Sequence, residues 1–252
     1  MTEIDMQNAV SAAGTAMEQA VAIFMLHPET FGESIAAGYE NPFAGYAAGR
    51  AGVLGEASGE TVAAIFAVFE PNFTGAMWDE GVKVRGAKAA ADIYWEQAAG
   101  FGRRYLAGAE GTERIAELVE KVIAVTPDAG LPLFAGWRRM PLAADGPARA
   151  LQAMFVHREL RAGVHFNALT ISGITPIEAH MLNKGHDYAM LFGWPEPFAD
   201  GADKKDRYTE VEQATNRRMA ELYAAALTED EAAELARLTA AALATLTASV
   251  PR

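Results

Sequence analysis

The sequence contains no cysteine, which excludes disulfide frameworks, thiolate metal ligands and thiol nucleophiles, and gives no sign of an oxidising compartment. Positive charge is also scarce: 21 Lys+Arg stand against 33 Asp+Glu, a formal charge of −12. That balance repels phosphate backbones unless a basic stripe is concentrated somewhere, because nucleic-acid affinity comes largely from Lys and Arg. Alternating β-branched runs are few, which argues against a sheet. The opening Met-Thr-Glu-Ile-Asp-Met is acidic where a secretory signal needs basic residues, and no later segment holds about 18 apolar residues free of charge. Neither export nor membrane spanning is expected, and the cytoplasm is the expected compartment. There is no GxSxG elbow, Walker loop or strand-borne GxGxxG, so nucleotide and dinucleotide enzymes are disfavoured and no cofactor is expected.

What is present is an alanine-rich chain of 252 residues, 51% hydrophobic, long enough for one large domain or two small ones at roughly 150 residues each. Apolar residues recur at three and four positions, which predicts helices over 17–25, 61–69, 87–99, 113–125, 150–169, 176–182, 208–227 and 229–246. Thr175-Pro176-Ile177-Glu178 and Thr228-Glu229-Asp230-Glu231 read as capping boxes, with Pro176 at the first helical position. The expected fold class is all-α.

Residues 126–147 are too interrupted by proline and glycine for a continuous helix. The expected organisation is an N-terminal helical lobe (1–125), a connection (126–149) and a C-terminal lobe (150–252) ending in a helix pair. The lobes carry an echo: Arg-Ala-Gly-Val stands at 50–53 and again at 161–164. Each copy is followed by Gly-x-Thr (Gly59 to Thr61, Gly173 to Thr175), a short apolar helix and an aromatic-proline turn (Phe69 to Pro71, Trp194 to Pro197). Helix, tight connection and second helix have the layout of a helix-turn-helix unit. Two pseudo-repeated units with a crevice between them are expected.

These residues resemble an actinobacterial helix-turn-helix-like family of largely uncharacterised proteins, some of which accompany specialised-metabolite gene clusters. The resemblance rests on Gly45 to Gly55, on Phe66, Phe69 and Pro71, on Arg158, Glu159, Arg161 and His165, on the Gly173 to Leu182 helix start, on Gly193-Trp194 and on Glu210 to Arg218 with the final helix. It departs at Leu160 and Gly163, where many relatives carry basic and acidic side chains. The resemblance implies a fold, and function has to be argued from a site.

A recognition helix needs Arg, Lys, Asn or Gln near its N-terminus to meet base edges. The candidates begin Glu60-Thr61-Val62 and Pro176-Ile177-Glu178 and have none. Basic pairs at 103–104, 138–139, 204–205 and 217–218 read as solvated surface, so direct nucleic-acid binding is disfavoured.

Chemistry is concentrated elsewhere. His157, Arg161 and His165 lie at i, i+4 and i+8, along one helical stripe, and are the candidate catalytic residues: histidine moves protons near neutral pH and arginine holds an anionic or carbonyl oxygen. Arg50, Tyr46, Arg158, Glu159, Phe166, His180 and Trp194 are candidate ligand-binding residues around them, with Tyr39, Phe43 and Met190 as further apolar wall. The plainer alternative is a structural ion pair of Arg161 with Glu178 or Glu159, and aromatic core packing. Histidines eight apart with an arginine between them do not make a metal site. The expected function is small-molecule binding on a helix-turn-helix-like scaffold, extending to cofactor-independent acid–base catalysis of a cyclisation, isomerisation or elimination. A DNA- or partner-binding transcriptional regulator is the alternative, and a homodimer through the last two helices fits either.

Overall fold

A computed structural model describes residues 3–250; residues 1–2 and 251–252, at the ends of the expected lobes, lie outside the described residues. The chain is all-helical, with no strand among the described residues. Its helices are α1 (Glu3–Leu26), α2 (Pro28–Ala36), α3 (Pro42–Ala51), α4 (Gly59–Phe66), α5 (Pro71–Arg85), α6 (Ala87–Tyr105) and α7 (Thr112–Val125), then α8 (Pro132–Trp137), α9 (Gly146–Ser172), α10 (Pro176–Asn183), α11 (His186–Leu191), α12 (Lys205–Ala224) and α13 (Glu229–Ser249).

Local chemistry sets many of these boundaries. Both expected capping boxes form, at Thr175 with Glu178 and at Thr228 with Glu231. Prolines 28, 42, 71, 132 and 176 each open a helix, where the missing N–H has no intrahelical partner to lose. Asn41 caps α3 by accepting from Phe43 N (3.0 Å), and Glu70 caps α5 through Phe73 N (2.5 Å).

The chain divides into two compact units. The first takes the described residues up to 30, then 94–162 and those from 216 onward; the second takes 31–93 and 163–215. The expected 126–149 connection therefore falls inside the first unit. Helix α9 gives residues 146–162 to the first unit and 163–172 to the second.

In the first unit α1 packs along α13; Val10, Met17 and Val21 of one helix and Leu235, Leu238, Ala242 and Leu246 of the other are buried, while Phe24 of α1 packs on Tyr94, Phe101 and Phe155. Each such large side chain taken from water stabilises by about 1.5–3 kcal/mol. Phe155 sits at the centre of an aromatic group, 4.8 Å from Trp137, 5.8 Å from Trp95 and 5.9 Å from Tyr94. The stretch Met6–Leu26 is long and apolar enough to cross a membrane by length and composition, although it is not free of charge, as the sequence reading required of a span. Its lone ionisable residue, Glu18, is too sparse a charge to lower the hydropathy below that of a span.

In the second unit α5 packs on α3 and α4 at close range. A β-carbon at Gly81 would lie 2.3 Å from Ala44 O, and one at Gly59 2.8 Å from Gly75 O, so these crossings require glycine. The two Gly-x-Thr motifs work differently. Ser58 caps α4 and accepts from Thr61 N (3.2 Å), whereas Thr175 is itself the cap of α10.

Candidate functional site

In the first unit, the candidate residues on α9 meet side chains from α1 and α12. His157 is 1% exposed, and its Nε2 lies 2.7 Å from the Tyr223 hydroxyl. Burial first, and the Arg161 charge second, hold the His157 imidazole down to a pKa of about 3; burial pushes the Tyr223 phenol well above its ordinary value, with Arg161 pulling it the other way. The pair is neutral at neutral pH. His157 Nδ1 is buried with no hydrogen-bond partner among the described residues. One turn further along α9, Arg161 donates from Nη1 to Glu18 of α1 (3.3 Å) and from Nη2 to Asn216 of α12 (3.5 Å). Its aliphatic stem lies over Gly14, where a β-carbon would sit 3.6 Å from Cδ.

The expected ion pair of Arg161 with Glu178 does not form, because Lys204 bonds Glu178 (2.6 Å); Arg161 bonds to Glu18, and Glu159 accepts from its neighbour Arg158 (2.7 Å). The Lys204 bonds first, then Thr175, hold the Glu178 carboxyl down to a pKa of about 2. Tyr223, Asn216 and Glu18 are the members that sequence reasoning missed. Two signals pointed to them: Asn216 and Tyr223 stand seven apart, on one face of a helix, and Glu18 is the single charge in the stretch Met6–Leu26 of α1.

In the second unit, Tyr46, Arg50, His180 and Trp194 come together as a packed aromatic cluster. Arg50, 1% exposed, donates from Nη1 to the Tyr46 hydroxyl (3.1 Å) and lies 4.5 Å from the centre of the Phe66 ring. Phe69 stacks on Phe192 at 4.0 Å, nearly parallel. Val68 O is 3.0 Å from His180 Nδ1 and accepts from Trp194 Nε1 at 3.0 Å. The carbonyl cannot donate, so Nδ1 carries the His180 proton. Burial lowers the His180 pKa, with the Val68 bond acting in the opposite direction.

The carbonyl is aimed there by a γ-turn at Ala67, which has φ of 58° and ψ of −67° and is closed by Val68 N donating to Phe66 O (2.7 Å). Tyr39 is buried in a separate cluster with Ala48 and Ala90, and Met190 is exposed, so the expected apolar wall does not form as one surface.

His165 belongs to the second unit, although it shares a stripe with His157 and Arg161. Its Nδ1 lies 3.3 Å from Thr215 Oγ1 and 3.4 Å from Glu212 Oε1. Phe166 packs on a cluster of Leu169, Ile174, Ala179 and Val211. His186 is exposed and sits 2.6 Å from Glu196, whose bond raises its pKa.

The chemistry available in the first unit is hydrogen bonding more than resident proton transfer. Charging His157 at pH 7 from a pKa near 3 costs about 5 kcal/mol at 1.36 kcal/mol per unit. The group offers a neutral imidazole–phenol pair beside a guanidinium that is itself balanced by a carboxylate. No three His, Asp or Glu side chains gather as a metal site requires among the described residues.

At least one member of each basic pair is engaged with an acid: Arg103 with Asp145 (2.8 Å), Arg104 with Glu29 (3.3 Å), Arg139 with Asp128 (3.0 Å), Lys204 with Glu178 (2.6 Å) and Arg218 with Glu221 (2.6 Å). Helices α4 and α10 expose Glu60, Thr61 and Pro176 at their starts, with no basic side chain among them.

No curated protein matches the chain, and no solved structure does. A family model described as the helix-turn-helix family matches residues 10–251, and the chain belongs to that family.

Proposed function

We propose that the protein binds a small organic ligand at the His157, Arg161 and Tyr223 group of its first unit. The observation that carries this reading is the buried Nδ1 of His157, a polar atom left without a protein partner beside two groups able to hold a carbonyl or hydroxyl oxygen. A buried polar atom without a partner costs about 1–3 kcal/mol, and a ligand that supplies one recovers that loss. The resemblance noted in the sequence supports an intermediate of specialised metabolism as the ligand. Catalysis of a cyclisation, isomerisation or elimination is the extension of this reading, and it requires that the bound ligand raise the His157 pKa toward neutrality.

Native mass spectrometry of the purified chain, followed by a thermal-shift screen of carbonyl- and hydroxyl-bearing metabolites, tests the proposal. A compound that prefers the native state raises the unfolding midpoint. The double variant His157→Phe, Tyr223→Phe, which leaves no buried hydroxyl unpaired, is expected to abolish that rise with little change in the ligand-free midpoint; a ligand bound equally well by the double variant overturns the reading. The second reading, compatible with a helix-turn-helix scaffold, is a DNA- or partner-binding transcriptional regulator. A gel shift on duplex DNA with a steep salt dependence supports it, and no shift at low salt ends its DNA-binding form.

A further inference from the structure

The first unit also contains a hollow that neither the family nor the His157 group accounts for. It has a volume of about 550 Å³ and lies between the end of α7, the loop after α8 and the beginning of α9, in the size range of small-molecule sites. The loop is pinned at several points. Trp95 Nε1 donates to Pro141 O (2.7 Å), Ala143 N donates to Gln152 Oε1 (2.7 Å), Gln152 Nε2 donates to Trp95 O (3.1 Å), and Arg103 holds Asp145 (2.8 Å). The hollow is therefore preformed, so a ligand has little loop ordering to impose.

Its wall is apolar: Ile123, Met140, Leu142, Val156 and Trp137. Its rim carries two arginines and one acid, the reverse of the balance in a chain of charge −12. Arg149 gives Nε and Nη2 to Glu120 (2.7 and 2.9 Å), which leaves its Nη1 without an acceptor among the described residues. Arg138 gives its Nη atoms to carbonyls at the end of α7, Thr126 O (2.6 Å) and Ala124 O (3.4 Å). Asp128, 3.9 Å from Arg138, is hydrogen-bonded to Arg139 at 3.0 Å. Each rim arginine is thus matched by an acid, with Glu117 also acting on Arg149, and what the rim offers an anion is the open Nη1 of Arg149 above an apolar interior.

We propose that this hollow binds a small amphipathic carboxylic acid, with its apolar body against Ile123, Leu142 and Val156 and its carboxylate on Arg149 Nη1. Guanidinium and carboxylate form a charge-assisted hydrogen bond, and the half-exposed rim leaves the rest of the anion in water. An uncharged analogue of the same shape keeps the apolar contacts and loses the ionic one. The site shares no residue with the His157 group, so either can fail without the other.

Isothermal titration calorimetry of the full chain with naphthalene-2-carboxylate and naphthalene-2-carboxamide tests the proposal. The acid is expected to bind one-to-one and at least about tenfold more tightly than the amide, which corresponds to about 1.4 kcal/mol. Ala124 and Ala144 line the hollow from exposed positions, so Ala124→Trp or, if that variant fails to fold, Ala144→Trp fills it without altering the core. Either is expected to remove binding at an unchanged unfolding midpoint. Arg149→Gln is expected to bring the acid down to the affinity of the amide, and His157→Phe to leave both untouched. Absence of binding by the acid at millimolar concentration, binding that survives the tryptophan variants, equal weakening of acid and amide in Arg149→Gln, or loss in His157→Phe each overturns it.

Discussion

Two buried polar groups, one in each unit, differ in what they leave unsatisfied. In the second unit, Arg50 is enclosed by Tyr46 and the Phe66 face, while His180 and Trp194 share one backbone carbonyl. The polar atoms there are tied into an aromatic core. In the first unit, His157 bonds to Tyr223 through one ring nitrogen and has no partner for the other. A core gains nothing from such an atom, because its desolvation is not offset by a bond. The contrast separates arginine and histidine that hold a fold from histidine that the fold merely tolerates, although both are equally buried.

Stability measurements can break that comparison. Replacing Arg50 with Met removes a fully buried cation from its aromatic enclosure and takes the donor from Tyr46, and is expected to destabilise the protein by about 3 kcal/mol or more in urea unfolding. An unchanged midpoint would mean that the second cluster contributes no more to the fold than the first. The double variant His157→Phe, Tyr223→Phe removes both partners of a neutral pair and keeps its shape, and is expected to change stability at pH 7 by less than about 1 kcal/mol.

Acid sharpens the same contrast. The folded state holds His157 at a pKa of about 3, below its ordinary 6.5, so between those values the unfolded chain takes up a proton that the folded chain refuses. This preference leaves the fold undisturbed above pH 6.5 and weighs against it as the pH falls toward 3, by about 1.4 kcal/mol per pH unit. The double variant lacks this term, so its advantage over the natural sequence is expected to grow across that window. Parallel acid-unfolding curves for the two proteins would show that His157 titrates as an ordinary exposed imidazole does.

The helical class, the long α9 and both capping boxes were legible in the sequence because they rest on local periodicity and on side chains three residues apart. The starts of α2, α3, α5 and α8 were not, because proline signals interruption and the first turn of a helix equally well. The site was half legible. Spacing on one helix put His157 and Arg161 on a common face. Their partners lie 66, 55 and 143 residues away at Tyr223, Asn216 and Glu18, and periodicity carries no information about which helices meet. The same spacing also tied His165 to that stripe, where the division of α9 between units separates it.

The smallest expected effect concerns how the second cluster is held. Ala67 adopts positive φ with a side chain, in the rare γ-turn that presents Val68 O to His180 and Trp194. Such a conformation costs an alanine about 1–3 kcal/mol, whereas glycine adopts it freely and gives back part of that gain through a more mobile unfolded chain. Ala67→Gly is therefore expected to stabilise the protein by about 0.5–1 kcal/mol in urea unfolding. If it destabilises instead, the methyl group of Ala67 contributes more by packing than its backbone costs, and the turn is an ordinary part of the core. If it stabilises, strain is stored beside the two bonds to Val68 O, and those bonds, with the Phe69–Phe192 stack, are what hold it in place.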